Sequence, residues 1–185
     1  TSGVDIGVRY DLATSSAGNF RFNLEGTWLE KYDDILPDGT VIHGKGVYDR
    51  GVFPATKANF STFWAMNDLS AGFNVRYVGS FKECGDENVE DDCRDVEIED
   101  LTTPDPNDTI MVPQNSRTVD VNVTADIFAS YAFDVGLGPS KVSAGVNNVL
   151  DQDPPDIYNG FLASSRAATY DFMGRFVYLR LSQGF

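Results

Sequence analysis

Histidine is nearly missing from this chain of 185 residues: His43 is the only one. It stands in a glycine-rich stretch with no nucleophile motif beside it, and no G-x-S-x-G occurs, so nothing points to a hydrolytic triad. Cysteine is scarce too. Cys84 and Cys93 lie in one acidic stretch, at a spacing that matches no zinc signature and far from His43. A short-range disulfide between them is the expectation, and it implies an oxidising compartment. Bases are outnumbered, with 14 Lys and Arg against 28 Asp and Glu, for a net charge of −14. Without a basic stripe there is nothing to neutralise phosphates, which excludes nucleic acid as a partner and disfavours docking on an anionic inner leaflet. No apolar run reaches the roughly 18 residues of a membrane-spanning helix. A barrel strand needs only about ten alternating residues, so that absence leaves a β-barrel open.

What is present is alternation. Val4, Ile6, Val8, Tyr10 and Leu12 alternate with Asp5, Gly7, Arg9 and Asp11 at strict period two. Phe20, Phe22, Leu24, Gly26 and Trp28 follow on one parity, with Arg21, Asn23, Glu25 and Thr27 on the other. The cleanest run is Val119 to Phe133. The pattern predicts seven strands, over about 2–12, 18–32, 53–66, 70–82, 117–133, 141–150 and 169–185, and no helix. Between them the connections alternate in length: short turns at 13–18, 67–68 and 134–140, long loops at 33–52, 83–116 and 151–168. The turn at 67–68 is Asn-Asp, consistent with a hairpin. The loop from Glu83 to Ser116 is too long and structureless for a compact soluble domain. All short turns on one side and all long loops on the other is the habit of outer-membrane barrels.

The apolar parity is therefore expected to face lipid. Arg21, Glu25, Lys57, Arg76 and Asp126 all fall on the other parity, where a wet lumen spares them the about 2–4 kcal/mol that Arg or Lys costs at the lipid midplane. Phe20, Trp64, Tyr131, Phe133 and Phe185 are expected near the short-turn rim, and Trp28, Tyr77 and Phe81 near the loop rim, as interfacial girdles. A sandwich with one solvated face explains the alternation but not the loop asymmetry. Seven is odd, and a closed antiparallel barrel of this kind has an even count. Either one strand escapes the pattern or the segment belongs to a larger barrel, because an open edge in hydrocarbon leaves backbone groups unpaired.

The phrases Gly145-Val146-Asn147-Asn148-Val149-Leu150-Asp151, Asp153-Pro154-Pro155, Tyr170-Asp171 and Gly174-Arg175, with the terminal Phe185, resemble the carboxyl end of TonB-dependent outer-membrane receptors. Gly51-Val52-Phe53-Pro54 before Lys57 and Asn59, and Val75-Arg76-Tyr77-Val78-Gly79-Ser80-Phe81, resemble the preceding hairpins of that family. The resemblance covers most of the chain apart from the loops and rests on the ordered set of phrases. It implies an all-β fold, an antiparallel up-and-down transmembrane β-barrel of about 22 strands, with residues 1–185 as its carboxyl-terminal segment. It further implies uptake of a scarce solute such as a ferric siderophore, haem, cobalamin or saccharide. The amino-terminal plug, the remaining barrel strands and the contact with the TonB complex would lie in parts the sequence does not include. Outer-membrane lipid and the barrel-assembly machinery are the other implied partners, and Phe185 resembles the terminal aromatic read by that machinery.

Candidate solute contacts fall in the loops: His43, Tyr48 and Arg50 in the first, Tyr158, Asn159 and Phe161 in the last. Asn147 and Asn148 are expected either to hydrogen-bond in the lumen or to form the turn before Asp151. The acidic run from Glu83 to Asp108 lacks the ordered ligand spacing of a calcium loop and is expected as a solvated loop clipped by Cys84 and Cys93. No catalytic residue, metal ligand or cofactor is assigned. The rival class is a small self-contained outer-membrane barrel serving as a pore, an adhesin or a hydrolase.

Overall fold

A computed structural model describes residues 1–184 apart from positions 40, 49–50, 87–88, 92–95, 100–101, 104–106, 113–115, 135, 137, 158–164 and 166–167. The described residues are all-β with no helix. In chain order the strands are β1 (Ser2–Ala13), β2 (Asn19–Lys31), β3 (Asp33–Ile35), β4 (Val41–His43), β5 (Thr56–Met66), β6 (Leu69–Val78) and β7 (Phe81–Asp86). They continue with β8 (Val89–Asp91), β9 (Val96–Glu99), β10 (Thr109–Val112), β11 (Ser116–Val119), β12 (Asn122–Asp134), β13 (Pro139–Asn147) and β14 (Phe176–Gln183). Seven of them form one antiparallel up-and-down sheet in the order β1-β2-β5-β6-β12-β13-β14. The other seven make small ribbons within the long connections: β3 with β4, β9 with β10, and β7 between β8 and β11.

Directly opposed residues in an antiparallel ladder point to the same side, so the register sorts every side chain of the sheet. Val8 opposes Leu24, which opposes Phe60, then Val75, then Ala125. Further along, Phe73 opposes Ile127, Val146 and Val177 in turn. One continuous face thus carries the apolar parity of all seven strands, and among the described residues charge reaches it only at the loop end of β2, where the register shifts: Glu30 accepts from the Ser2 hydroxyl and Lys31 opposes Ser2. Asp5, Arg9, Asp11, Arg21, Glu25, Lys57, Arg76, Asp126, Lys141 and Arg180 share the opposite face. No second layer covers the apolar face: Ile6, Val8, Leu24, Phe73 and Ile127 are exposed, and Val177, Leu179 and Leu181 on β14 are 69–77% exposed. Among the described residues no second sheet stacks on this one.

Tilted or bulky departures from alternation have a local reason. Phe63 and Phe128 stand on the polar face, with ring centroids 6.3 Å apart. Gly72 lies between their strands, and a Cβ there would sit 2.7 Å from the Phe128 ring and 2.5 Å from the Thr62 carbonyl oxygen. Gly145 stands in the same relation to Tyr178, whose hydroxyl would be 2.5 Å from an added Cβ. The rings lie flat across bare backbone and shield it, a device that secures glycine in a strand.

The strand ends differ from the alternating pattern where backbone chemistry intervenes. β5 starts at Thr56, not at 53: Pro54 has no N–H for a ladder, and Phe53 instead stacks on Tyr32 at 4.0 Å. β6 stops at Val78, one pair short of the Gly79 N–H that still donates to the opposing Thr56 carbonyl. The alternation of 117–133 hides a break at Asp120–Val121, so that Val119 is buried at 4% exposure while Val121 is exposed. β13 covers 139–147 and ends where Asn148 turns to φ 49°. β14 covers 176–183, not 169–185. The Asp171 carboxylate accepts the Met173 N–H and the Asp151 carboxylate accepts the Arg175 N–H, holding that segment out of the sheet. The loops at 33–52 and 83–116 are not structureless, since β3–β4 and β7–β11 occupy them.

Glycine spacing sets a first prediction. Gly72→Ala and Gly145→Ala each force an aromatic ring off its seat and should cost about 1–3 kcal/mol. Gly7→Ala, whose added Cβ meets nothing within 4 Å, should be neutral. Urea midpoints of the refolded variants read the difference.

Candidate functional site

The short turns lie at one end of the sheet and the long connections at the other. At the long end, Tyr48, Val52, Phe81, Val119, Ile157 and Tyr170 form a buried cluster, with Val78 of β6 packed against it. These six residues come from all three long connections. Val78 belongs to the polar face, as do Asn122 and Thr124, which are buried to 7% and 6% exposure. The connections therefore fold over the polar face of the sheet, and the cluster forms a cap there.

Specific bonds tie the cap together. The Tyr48 N–H donates to the Lys82 carbonyl at 2.6 Å, and the Lys82 N–H donates to the Gly46 carbonyl at 2.8 Å, joining the first connection to the second. Glu83 is fully buried and pairs with the Arg117 guanidinium, which also donates to the Asp156 carbonyl at 2.7 Å. Removing either partner would leave an uncompensated charge at the site, the costly outcome for a buried pair. The Asn122 side-chain amide donates to the Asp153 carbonyl at 3.0 Å. Arg76 grips Asp126 with two nitrogens and also donates to the Thr124 hydroxyl at 3.1 Å. Asp126 in turn accepts the Asn148 backbone N–H at 2.9 Å. Asn148, 2% exposed, closes the turn by exchanging bonds with Gln152 in both directions. Of the two expectations for Asn148, the turn former holds, and its left-handed backbone suits Asn.

The candidate contacts fall out unevenly. His43 is exposed at the end of β4, with its Nδ1 2.8 Å from the Asp33 carboxylate. Asp33 lies below the ordinary carboxylate range because Lys31 hydrogen-bonds it first and His43 second. That pairing supports the hairpin above the ordinary carboxylate range and fades as pH falls through the lowered value. On so exposed a site it contributes little. Tyr48, expected to line the mouth, is 5% exposed and belongs to the cap's interior. Phe81, expected at a lipid rim, is 2% exposed in the same cluster. Cys84 is disulfide-bonded and buried. Arg50, Cys93, Tyr158, Asn159, Phe161 and Phe185 lie outside the described residues. Among the described residues no three of His, Cys, Asp and Glu stand together as a metal site, and no helix is long and apolar enough to cross a membrane. The residues that alternation alone did not single out are Glu83, Arg117 and Asn122, while parity gave the face of Asp126 but not its partners. Comparison with protein-family models, with curated proteins and with solved structures finds no match.

Tyr170 offers a second test. Its hydroxyl is buried without a partner, and burial pushes its pKa up to about 12. A raised pKa means that Tyr170 supports the fold fully below pH 10 and ceases to as pH climbs through about 12. Tyr170→Phe removes an unsatisfied oxygen and should leave stability unchanged or raise it by about 1 kcal/mol. It should also blunt the alkaline loss of cap structure, as followed by amide exchange at Tyr48 and Lys82.

Proposed function

We propose that the chain is the carboxyl-terminal part of a transmembrane β-barrel, and that this barrel is a TonB-dependent outer-membrane receptor for energised uptake of a scarce solute such as a ferric siderophore, haem, cobalamin or saccharide. The observation that carries the membrane half is the uncovered apolar face running in register through seven strands, free of charge except at the loop end of β2. An exposed apolar surface of that extent marks an interaction site, and a closed barrel is the β-structure that satisfies its backbone in lipid. Trp28 and Trp64 mark the two rims on β2 and β5. Trp28 opposes Thr56, and Trp64 lies eight positions further along β5. That spacing spans about 27 Å along the strand, or about 21 Å across a membrane at a barrel-like tilt, close to the about 25 Å apolar band of outer-membrane barrels.

The receptor half rests on the ordered phrases from Gly51 to Gly174. Strand direction favours it over a small self-contained barrel. β1 and β14 are the two edges of the sheet and run in the same direction, so they cannot close on each other as an antiparallel pair. Antiparallel closure needs an odd number of further strands between them.

Two experiments test this. Val8 and Gly7 are neighbours on β1 that face opposite sides. In lipid vesicles Val8→Arg should cost about 2–4 kcal/mol and Gly7→Arg less than about 0.5, and equal costs would remove the lipid-facing assignment. Uptake by cells expressing the whole polypeptide should stop when the proton-motive force is collapsed. Passage that continues unchanged would instead support the self-contained pore.

A further inference from the structure

We propose that the short-turn half of the polar face carries a binding site for an aromatic carboxylate, in which Phe63, Phe128 and Tyr178 stack on the arene and Arg21, with Arg9, takes the carboxylate. As a station for a solute crossing the lumen, the site rests on the receptor reading above.

The register puts these residues in one line. Asp11 opposes Arg21, which opposes Phe63, then Gly72, Phe128, Gly145 and Tyr178. Aromatic residues and glycines alternate from β5 to β14, with a guanidinium at the β2 end. The rows on either side differ in kind. On β5 and β6, Ser61 and Asn74 lie toward the loops, and Ala65 and Ser70 toward the short turns. Trp64, which marks the short-turn rim of the apolar face, follows Phe63 in the strand, so the line runs near the short-turn mouth.

The rings are laid flat. Phe128 reaches across Gly72 on β6, and Tyr178 reaches across Gly145 on β13. Both lean in the direction of β2. One face of each ring covers backbone, and both side chains are only half-buried. Phe63 extends the pavement, with its centroid 6.3 Å from that of Phe128 at an interplanar angle of 27°, and it is 37% exposed. A flat arene packs on such faces in offset stacking.

Beside Phe63, Arg21 donates its Nε to the Asp11 carboxylate at 2.7 Å, and Arg9 donates its own Nε to the other oxygen at 2.9 Å. One carboxylate thus orients two guanidiniums, and the trio keeps one unbalanced positive charge. Among the described residues the Nη nitrogens of Arg9 and Arg21 meet no acceptor. For Arg21 no missing strand explains this, because β1 and β5 flank it on both sides. The planar fork of a guanidinium matches a carboxylate, and a single carboxylate brings the trio to neutrality. Arg21 directly opposes Phe63, so an arene stacked on Phe63 can set a carboxylate on its rim against Arg21.

The test titrates naphthoate onto the whole polypeptide in lipid vesicles, with empty vesicles as the blank. Binding should saturate. Naphthylmethanol, which lacks the charge, and cyclohexanecarboxylate, which lacks the arene, should each bind about tenfold more weakly. Arg21→Gln and Arg9→Gln should each weaken naphthoate about tenfold and leave naphthylmethanol unchanged. Phe63→Leu should weaken both aromatic probes about threefold. Lys57→Gln, on the same face nearer the loop end of β5, should change nothing. Absence of saturable naphthoate binding overturns the site, and so does equal weakening by Arg21→Gln and Lys57→Gln, which would reduce it to diffuse attraction. Naphthoate bound as expected, by a protein whose uptake survives collapse of the proton-motive force, keeps the site and removes the receptor reading.

Discussion

A strand has only two sides, and a residue's direct cross-strand partners share its side. That constraint multiplies small choices made in separate stretches of sequence. Seven runs of alternating residues, each unremarkable alone, add to one apolar face and one charged face only because their registers agree. Had β5 slipped by one residue against β2, Lys57 and Asn59 would join Leu24 and Trp28, and neither face would be uniform. The agreement across six ladders gives the sheet its sidedness, and the position of the cap follows from it. Connections rich in polar backbone can settle on the charged face, where Asn122, Thr124 and Asp126 offer partners. The apolar face offers them none.

Charge is partitioned just as sharply along the strand axis. The seven sheet strands hold seven basic residues, Arg9, Arg21, Lys31, Lys57, Arg76, Lys141 and Arg180, against six acids, Asp5, Asp11, Glu25, Glu30, Asp126 and Asp134. The strands are therefore close to neutral, and the chain's net charge of −14 resides in the connections. Asp68 is the only charged residue in the three short turns, so the excess belongs to the long side. Like charges crowded there repel one another, and two internal ties answer that repulsion: the Glu83–Arg117 pair and the disulfide at Cys84.

The sheet was legible in the sequence because period two is a strong local signal, and a side chain cannot change face without breaking it. Parity placed Arg21, Glu25, Lys57, Arg76 and Asp126 together on the face that holds them. The long connections were not legible for the opposite reason. Their short ribbons carry no sustained period, and their cluster is assembled from single residues far apart in the chain. Val119 and Val121 illustrate the limit. They look like continuous alternation, yet one is buried under the cap and the other exposed, because the strand breaks between them. Tyr48 was misplaced for the same cause, since an aromatic residue in a glycine-rich stretch gives no sign of which side it packs on. Phe63 and Phe128 depart from the polar parity of their strands, and Gly72 between them accounts for both.

Those glycines also bear on how the sheet comes together. Tyr178 fits across β13 only where no side chain stands beneath it. Two residues to either side of Gly145 are Ser143 and Asn147, and each would meet the ring with a Cβ. Gly72, flanked at the same interval by Ser70 and Asn74, receives Phe128 in the same way. Each pair works as a key and keyway: a strand that arrives misaligned finds the slot blocked, and it can seat fully in one alignment only. In this sheet the residues with no side chain supply proofreading for the residues with the largest.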